Sequence, residues 1–290
     1  MANPLNMDIG LQLYSVKDDL EKDFDGTLKA VAAIGYKQVE GNLSAAHRTA
    51  KDIRTAIDAL GLGWKSAHTS VAELHAAPDK LIEAAHDAGV QHLISSAPWI
   101  KDPSRIKKLD PSDPLVKEYG PYAQFIAALE NLTMDDWKWN ADVLNEVGEK
   151  SKKAGIRVGY HNHMFEFKKQ DGLLPYDELL RLTDPGLVDF QLDCGWMVYA
   201  GFDPAGYLTR HPKRYCSLHI KDLAKDGGRY GQGTVRTTEV GNGTIDWKKI
   251  FAAARKTSVG GYYVEQEPPY TRPPLESAKI SFDYLHGLSA

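Results

Sequence analysis

Two histidines and a glutamate lie close together in residues 159–166, which read Gly-Tyr-His-Asn-His-Met-Phe-Glu. The apolar residues Ile156 and Val158 precede them, which indicates that the stretch ends a buried β-strand. Alternate side chains of a strand share a face, so His161 and His163 are expected to point the same way. Two imidazoles and a nearby carboxylate can bind a divalent metal ion or relay a proton. The alternative is a polar surface turn without chemistry.

The composition excludes several classes of protein. Of the 290 residues, 42% are hydrophobic, which is enough for a sizeable core, and the net charge of −4 comes without a Lys/Arg block. This argues against nucleic acid as the main ligand. We expect no signal peptide and no membrane association, because the N-terminus has neither a basic start nor an apolar core and no apolar run could span a bilayer. The two cysteines, Cys194 and Cys216, form no disulfide framework, so we expect a soluble cytoplasmic protein.

Strand-like and helix-like stretches alternate along the chain. The predicted strands are residues 8–14, 36–40, 63–68, 90–95, 156–162, 187–192, 215–220 and 261–266. The predicted helices are residues 23–34, 45–60, 78–88, 133–154, 175–182, 204–211, 246–254 and 275–285. This order predicts an α/β protein with a parallel sheet, and eight units of this length favour a single closed (β/α)8 TIM barrel over an open doubly wound sheet. No Gly-x-Gly-x-x-Gly opens a helix after an early strand, which counts against a dinucleotide-binding fold.

A long segment, about residues 97–132, interrupts the alternation after the fourth predicted strand. It is rich in proline and far longer than an ordinary strand-to-helix loop, and connections of this length are often lids or binding loops. We predict a single domain over residues 1–290 that carries this segment as an insertion. The insertion could serve as a lid, as a subunit contact in a homo-oligomer, or have no function.

The carboxyl ends of the strands carry the reactive residues in a barrel of this kind. Here the predicted strand ends carry polar side chains, in chain order His68, His161, His163, Glu166, Asp193, His219, Lys221, Glu265 and Glu267. Taken singly, each of them could be a helix cap, a core histidine or an ion-pair partner. Buried carboxylates at successive strand ends are costly unless a metal ion balances them, and Asp193 and Glu265, flanked by apolar residues, are expected to point toward a common centre. Carboxylate and imidazole ligands suit Mn²⁺, Mg²⁺, Co²⁺ or Zn²⁺ without choosing among them.

Six stretches of the chain resemble the sugar phosphate isomerase/epimerase family, the xylose isomerase-like barrels. They are Gly-Leu-Gln-Leu-Tyr-Ser at 10–15, Tyr-His-Asn-His-Met-Phe-Glu-Phe at 160–167, Leu-Asp-Cys-Gly-Trp at 192–196, Leu-His-Ile-Lys-Asp at 218–222, Gly-Asn-Gly-Thr-Ile-Asp-Trp at 241–247 and Val-Glu-Gln-Glu at 264–267. They follow the family's order over most of the chain. The resemblance implies one divalent metal ion held by Glu, Asp, His and Glu from the fifth to eighth strands, and Asp193, His219 and Glu265 match the last three.

The chain departs from the family's pattern at two positions. Many relatives have Glu-Asn-His or Glu-Pro at the end of the fifth strand, where this chain has His161-Asn-His. Either His161 takes the ligand position or Glu166 reaches back from the loop, and we predict Glu166 because a third carboxylate better balances a dication. Trp196 replaces the usual His after Asp-x-Gly, which suggests an aromatic wall for a sugar ring.

The resemblance implies proton abstraction beside the carbonyl of a keto-sugar or polyol, through a metal-stabilised enediolate. The residues predicted to act in catalysis are Glu166, Glu265 and His163, and those predicted to bind substrate are His68, His161, Trp196 and Lys221. We predict a sugar isomerase or epimerase of carbohydrate metabolism. The alternative is a dehydratase or lyase, since the same enediolate precedes both outcomes and the His-Asn-His variant resembles branches associated with inososes and 3-keto sugars.

Two other functions stay open at this point. Apurinic endonuclease shares the barrel, but it needs a three-zinc cluster and a basic DNA face, whereas this chain has 10 histidines and a net charge of −4. A non-catalytic sugar-binding barrel is the other rival, and the retained Asp193, His219 and Glu265 argue against it. No phosphate-cradling motif stands out, so the sequence leaves open whether the substrate is phosphorylated.

Overall fold

Parallel strands close into an eight-stranded barrel in the computed structural model, which describes residues 3–106, 108–120, 123–228 and 235–288. The strands are β1 Ile9–Gln12, β2 Gln38–Asn42, β3 Gly63–Thr69, β4 His92–Ser95, β5 Arg157–His161, β6 Val188–Asp193, β7 Tyr215–Ile220, β8 Asp222–Leu223, β9 Thr237–Thr238 and β10 Tyr262–Val264. The barrel order is β1-β10-β7-β6-β5-β4-β3-β2, while β8 and β9 pair separately as an antiparallel ribbon. The prediction of a (β/α)8 TIM barrel is therefore confirmed.

Helices connect the strands of the barrel. They are α1 Lys17–Lys22, α2 Phe24–Ile34, α3 Ala50–Ala59, α4 Val71–Ala76, α5 Pro78–Ala88, α6 Pro114–Tyr119, α7 Ala123–Glu130, α8 Met134–Lys152, α9 Pro175–Leu182, α10 Cys194–Tyr199, α11 Pro204–Arg210, α12 Trp247–Ala254 and α13 Pro274–Gly287. Short 3-10 helices span Leu13–Val16, Pro103–Arg105 and Phe165–Phe167. In the part of the chain that the structure describes, no helix is long and apolar enough to cross a membrane.

Side-chain caps fix where several helices begin. Thr133 and Asp136 form a capping box at the start of α8, in which each side chain accepts a hydrogen bond from the other residue's backbone N–H. Asp246 caps α12 by accepting a hydrogen bond from the backbone N–H of Lys249 at 3.1 Å. The two helices begin one residue after the predicted starts at residues 133 and 246.

The predicted helix over residues 45–60 begins later than expected. Residues 45–48 form a turn closed by a bridge between Ala45 and Arg48, and both Ala46 and His47 have positive φ. Since positive φ does not fit a right-handed helix, α3 begins only after Thr49, which caps it. The short helices α1, α4 and α10 were not predicted.

The segment between β4 and α8 contains the 3-10 helix Pro103–Arg105, α6 and α7, with residues 107, 121 and 122 outside the described part. Its first part is tied to α8. Trp99 and Asn140 exchange two hydrogen bonds of 2.9 and 2.7 Å, and Arg105 donates to both oxygens of the buried Asp136 at 2.9 Å. This end of the insertion is thereby fixed against the barrel's helical layer, and its role as lid or subunit contact stays a prediction.

Candidate metal centre and active site

Four buried side chains converge at the carboxyl ends of neighbouring strands. His161 ends β5, Asp193 ends β6, His219 lies near the end of β7, and Glu265 directly follows β10. One ligand-type atom from each lies within 4.8 Å of the other three. The Asp193 Oδ2 atom lies 3.8 Å from His161 Nε2 and 3.9 Å from His219 Nδ1, and Glu265 Oε2 lies 2.8 Å from His219 Nδ1. We call these four residues the ligand group.

The two carboxylate oxygens of Asp193 have different roles, one in capping a helix and one in the ligand group. Its Oδ1 atom accepts a 2.7 Å hydrogen bond from the backbone N–H of Trp196 and so caps α10. Its Oδ2 atom is buried without a hydrogen-bond partner, although Lys221 Nζ lies 3.0 Å away as an ion-pair contact outside hydrogen-bond geometry. Burial raises the pKa of this carboxyl. A buried carboxylate oxygen that accepts no hydrogen bond is costly, and a cation close to it offsets that cost.

Lys221 brings a positive charge to the edge of the ligand group. Its Nζ atom lies 3.0 Å from Glu265 Oε2, as it does from Asp193 Oδ2, and donates to Glu267. Burial would lower the pKa of this ammonium, but the surrounding carboxylates outweigh burial and raise it. The Lys221 ammonium also stands 4.7 Å from the centre of the Trp196 ring. Burial would raise the pKa of Glu265, but Lys221 and His219 outweigh burial and lower it.

His219 sits between two carboxylates. Its Nδ1 atom faces Glu265 at 2.8 Å and its Nε2 atom faces Glu40 Oε1 at 2.5 Å. Burial alone would lower the pKa of His219, but the two carboxylates outweigh it and raise the pKa to about 10. A metal ion bound by the ligand group would therefore have to take the place of the Nδ1 proton.

His161 is the residue of β5 that joins the ligand group. Its Nδ1 atom lies 2.9 Å from Gln191 Oε1, which leaves Nε2 facing Asp193. Burial lowers the pKa of His161 well below its usual value, so the ring is neutral and can act as a ligand. The sequence predicted His161 as a substrate-binding residue, but the structure brings it together with the predicted ligands Asp193, His219 and Glu265.

Glu166 lies outside the ligand group. It belongs to the 3-10 helix Phe165–Phe167, is fully buried, and accepts hydrogen bonds from Tyr160 OH at 2.7 Å and from the backbone N–H of His163 at 3.0 Å. Burial raises its pKa to about 7. Both oxygens are thus satisfied by nearby protein groups, and the expectation that Glu166 binds the metal stays a prediction.

The rings of His163 and His68 both lie next to the ring of His161. The His163 ring is half-buried, 4.9 Å from the His161 ring and 5.7 Å from the Trp196 ring, and burial together with the charge of Lys221 lowers its pKa to about 3. The His68 ring stacks on the His219 ring at 5.4 Å. Its Nε2 atom turns inward, 2.9 Å from Gln191 Oε1, so only Nδ1 is left to meet a substrate.

Sequence reasoning missed Glu40, the third residue of β2. This carboxylate is fully buried and carries a lowered pKa, because the two histidines next to it, His68 and His219, outweigh the effect of burial. It ended the second predicted strand, so its position at a strand end was a signal that could have found it. Gln191 was also missed, and Glu267 was named at the end of the eighth predicted strand without a role.

A second group of ligand-type side chains lies near the amino ends of the strands. His92, Asp189 and Cys216 each offer an atom within 4.8 Å of the others. The Asp189 carboxylate, however, is held by the guanidinium of Arg157 through bonds of 2.5 and 2.7 Å. A guanidinium on the only carboxylate of the group disfavours a cation there, so this cluster ties β4, β5 and β6 together.

The ligand group fits a divalent metal ion. Two imidazoles and two carboxylates are the mixed nitrogen and oxygen donors that Mn²⁺, Co²⁺ and Zn²⁺ accept, and Asp193 Oδ2, which accepts no hydrogen bond, is a further coordinating atom of this set. A sequence model of the xylose isomerase-like TIM barrel family matches residues 28–287. The chain belongs to this family.

Within the xylose isomerase-like family, the chain is similar to proteins of several activities. The inosose dehydratase of Clostridium perfringens is 31% identical over 171 residues, which are 53% of this chain and 55% of that protein. The chain thus matches about half the length of this curated relative. A sugar phosphate isomerase/epimerase from Parabacteroides distasonis is 25% identical, with a TM-score of 0.71 over 98% of this chain and 99% of that one. The IolI protein with a bound zinc atom has a TM-score of 0.67 at 13% identity, over 96% of each chain, which shows the fold alone.

Proposed function

We propose that this protein is a divalent-metal-dependent enzyme that removes a proton beside the carbonyl of a keto-sugar or an inosose. The observation that carries the proposal is the ligand group of His161, Asp193, His219 and Glu265, buried at the carboxyl end of the barrel. That end is where enzymes with this fold place their active sites. The zinc atom in the structurally similar IolI protein is consistent with a metal here.

His161, Asp193, His219 and Glu265 would hold the metal ion. This set takes His161 in place of Glu166, because His161 Nε2 faces Asp193 whereas both oxygens of Glu166 already accept hydrogen bonds. When bound, a divalent ion supplies a Lewis acid that polarises a substrate carbonyl and lowers the cost of the negative charge that develops on it. Two ligand carboxylates balance its charge, and the Glu40 carboxylate lies directly behind His219.

Glu265, His163 and Glu166 are proposed to move the proton. Glu265 is an ionised carboxylate at the site, because Lys221 and His219 lower its pKa. His163 is half-buried near the Trp196 ring, and its lowered pKa keeps the imidazole neutral and able to accept a hydrogen bond from a substrate hydroxyl. Glu166, whose pKa of about 7 suits general acid–base catalysis, is buried behind the backbone of His163 and would have to exchange a hydrogen bond to act.

The proposed substrate-binding residues are His68, Trp196 and Lys221. Trp196 packs with Tyr199 and Leu223 in a small apolar cluster, and a flat aromatic face of this kind suits the C–H face of a sugar ring. Lys221 brings an ammonium to the edge of the ligand group, where it can donate to a substrate hydroxyl or to a developing oxyanion. His68 has only Nδ1 left for this purpose.

Dehydration is the second candidate outcome of the same first step. Loss of the proton beside a ketone leaves an enediolate, which is reprotonated in an epimerase or isomerase and loses a neighbouring hydroxyl in a dehydratase. The similarity to inosose dehydratases over about half of the chain favours dehydration of an inosose. The similarity to a sugar phosphate isomerase/epimerase over nearly the whole chain favours reprotonation.

One experiment tests the proposal and separates the two outcomes. Metal-free protein is loaded with Mn²⁺, Co²⁺, Zn²⁺ or Mg²⁺ and incubated in D₂O with a panel of keto-sugars and an inosose. Deuterium in a recovered sugar of the same composition indicates epimerisation or isomerisation, and an unsaturated ketone that absorbs in the ultraviolet indicates dehydration. The proposal fails if no metal gives either product, and a His219→Ala variant controls for contaminating enzymes.

A further inference from the structure

The two carboxylate oxygens of Glu40 contact five polar atoms of neighbouring side chains. Its Oε1 atom lies 2.5 Å from His219 Nε2 and 3.0 Å from both His68 Nε2 and Gln12 Nε2. Its Oε2 atom accepts a 2.8 Å hydrogen bond from Gln191 Nε2 and another from Ser66. A carboxylate surrounded by donors remains an anion even when fully buried, and an anion can only accept hydrogen bonds.

The contact between Glu40 and His219 fixes which nitrogen of His219 bears a proton. Because Glu40 only accepts, the hydrogen between the two residues belongs to His219 Nε2. In the neutral ring the lone pair must then lie on Nδ1, which faces Glu265 and Asp193. Glu40 therefore turns the correct nitrogen of His219 toward the ligand group.

Glu40 also orients His161, through the side chain of Gln191. The Gln191 amide nitrogen donates to Glu40 at 2.8 Å and to Ser217 at 2.9 Å. These two hydrogen bonds fix the orientation of the amide, so that its carbonyl oxygen faces His161. That oxygen accepts from His161 Nδ1 at 2.9 Å, so the lone pair of the neutral His161 ring lies on Nε2, which faces Asp193. The two histidines thus present different nitrogens, and the same buried carboxylate determines both.

We propose that Glu40 is the positioning residue of the metal centre, which sets the tautomers of His219 directly and of His161 through Gln191. This inference rests on the proposed function, because it assumes that the ligand group binds a divalent ion. It adds a residue from β2 to a site whose ligands all come from β5, β6, β7 and the residue after β10. Losing a carboxylate behind a metal-bound histidine typically weakens metal binding by about 10–100-fold.

The test compares Glu40→Gln with Glu239→Gln. Glu239 is a matched control because it too is a buried carboxylate with several donors, among them Ser277 and Arg272 at 2.9 Å, but it lies outside the network of Glu40. Zinc affinity is measured by competition with a chelator. The expected result is a loss of about 10–100-fold for Glu40→Gln and an unchanged affinity for Glu239→Gln. Equal affinities of the two variants would overturn the inference.

A second measurement on the wild-type protein needs no variant that might misfold. Long-range ¹H–¹⁵N NMR of zinc-loaded, histidine-labelled protein reports which ring nitrogen is bound to metal and which carries hydrogen. The expected pattern is zinc on Nδ1 of His219 and on Nε2 of His161. Zinc on Nε2 of His219 would contradict the role of Glu40 while leaving the metal centre intact, whereas no zinc binding by the wild-type protein would contradict the proposed function itself.

Discussion

The Oδ1 atom of Asp193 accepts a 2.7 Å hydrogen bond from the backbone N–H of Trp196, so one residue both caps α10 and belongs to the ligand group. The cap fixes the direction of the carboxylate, and Oδ2 is thereby aimed at His161 and His219. The chain enters α10 through Gly195, where a Cβ atom would stand 2.5 Å from the backbone oxygen of Lys221. The start of this short helix thus places Asp193 and Trp196 and makes room for Lys221.

Substitutions of Asp193 separate its two roles. Asparagine can still cap a helix, so Asp193→Asn is expected to bind divalent metal at least 10-fold more weakly while α10 stays capped. Asp193→Ala loses both roles and is expected to be less stable than Asp193→Asn by about 1 kcal/mol. Metal titration and urea unfolding in the presence of a chelator measure the two effects. Equal stability of the two variants would contradict the capping role, and unchanged metal affinity of Asp193→Asn would contradict the ligand role.

Variants of His161 and Glu166 decide which residue completes the ligand group. We expect His161→Ala to weaken metal binding by at least 100-fold, which corresponds to a loss of about 2.7 kcal/mol or more in binding free energy. Glu166→Gln is expected to change the affinity by no more than about threefold. The reason is that His161 Nε2 faces Asp193, whereas Glu166 accepts hydrogen bonds from Tyr160 and His163. Isothermal titration with Mn²⁺ or Zn²⁺ is the measurement. The reverse order of affinities would return the ligand position to Glu166.

The raised pKa of Glu166 makes stability depend on pH. The pKa of the Glu166 carboxyl is about 7 in the folded chain and 4.5 in the unfolded one, so folding favours the protonated form. Its contribution to the free energy of unfolding is fully present below pH 4.5 and is lost as the pH rises through 7. Glu166→Gln removes the titration, and its amide can accept from the His163 N–H and donate to Tyr160 OH. The free energy of unfolding of Glu166→Gln minus that of wild type should therefore rise by about 3 kcal/mol between pH 4.5 and 7 and stay level above.

Chemical unfolding at a series of pH values, with chelator present so that no metal binds, measures this difference. A difference that stays constant across the pH range would show that Glu166 is ionised in the folded protein at pH 5, contrary to the effect expected from its burial.

Metal should also stabilise the fold. An ion that binds the folded chain but not the unfolded one adds about 2.7 kcal/mol at a free concentration of 100 times Kd, so the melting temperature should rise with metal and fall with chelator. The His219→Ala variant, which removes one ligand, is expected to lose most of the rise. Differential scanning calorimetry gives the shift, and an equal rise in His219→Ala would place the bound metal elsewhere.

Part of the site could be predicted from the sequence because it depends on local patterns. Asp193 and His219 end apolar runs that fold as β6 and β7, and Glu265 follows a third such run, so strand periodicity and the barrel rule together put them at one end of the fold. The predicted eighth strand over residues 261–266 was too long at both ends, since β10 spans only Tyr262–Val264. This left the position of Glu265 at the barrel's carboxyl end unaffected.

The position of Glu40 at the end of a predicted strand could be read from the sequence, but its contacts could not, because its partners are distant in sequence. It lies 179 residues from His219 and 151 residues from Gln191, and only closure of the barrel brings them together. The choice of Glu166 as a ligand came from counting the charge needed by a dication. That count left out the Glu40 carboxylate, which lies 2.5 Å behind His219 and supplies a third negative charge near the centre.

The central claim is a single divalent metal ion held by His161, Asp193, His219 and Glu265. Anomalous diffraction from crystals of the metal-loaded protein, recorded on both sides of the metal's absorption edge, tests it most directly. We predict one anomalous peak per chain, within bonding distance of His161 Nε2, Asp193 Oδ2, His219 Nδ1 and a Glu265 carboxylate oxygen. A peak bound by Glu166 in place of His161 would contradict the ligand assignment, and the lack of any peak at the carboxyl end of the barrel would contradict the metal centre.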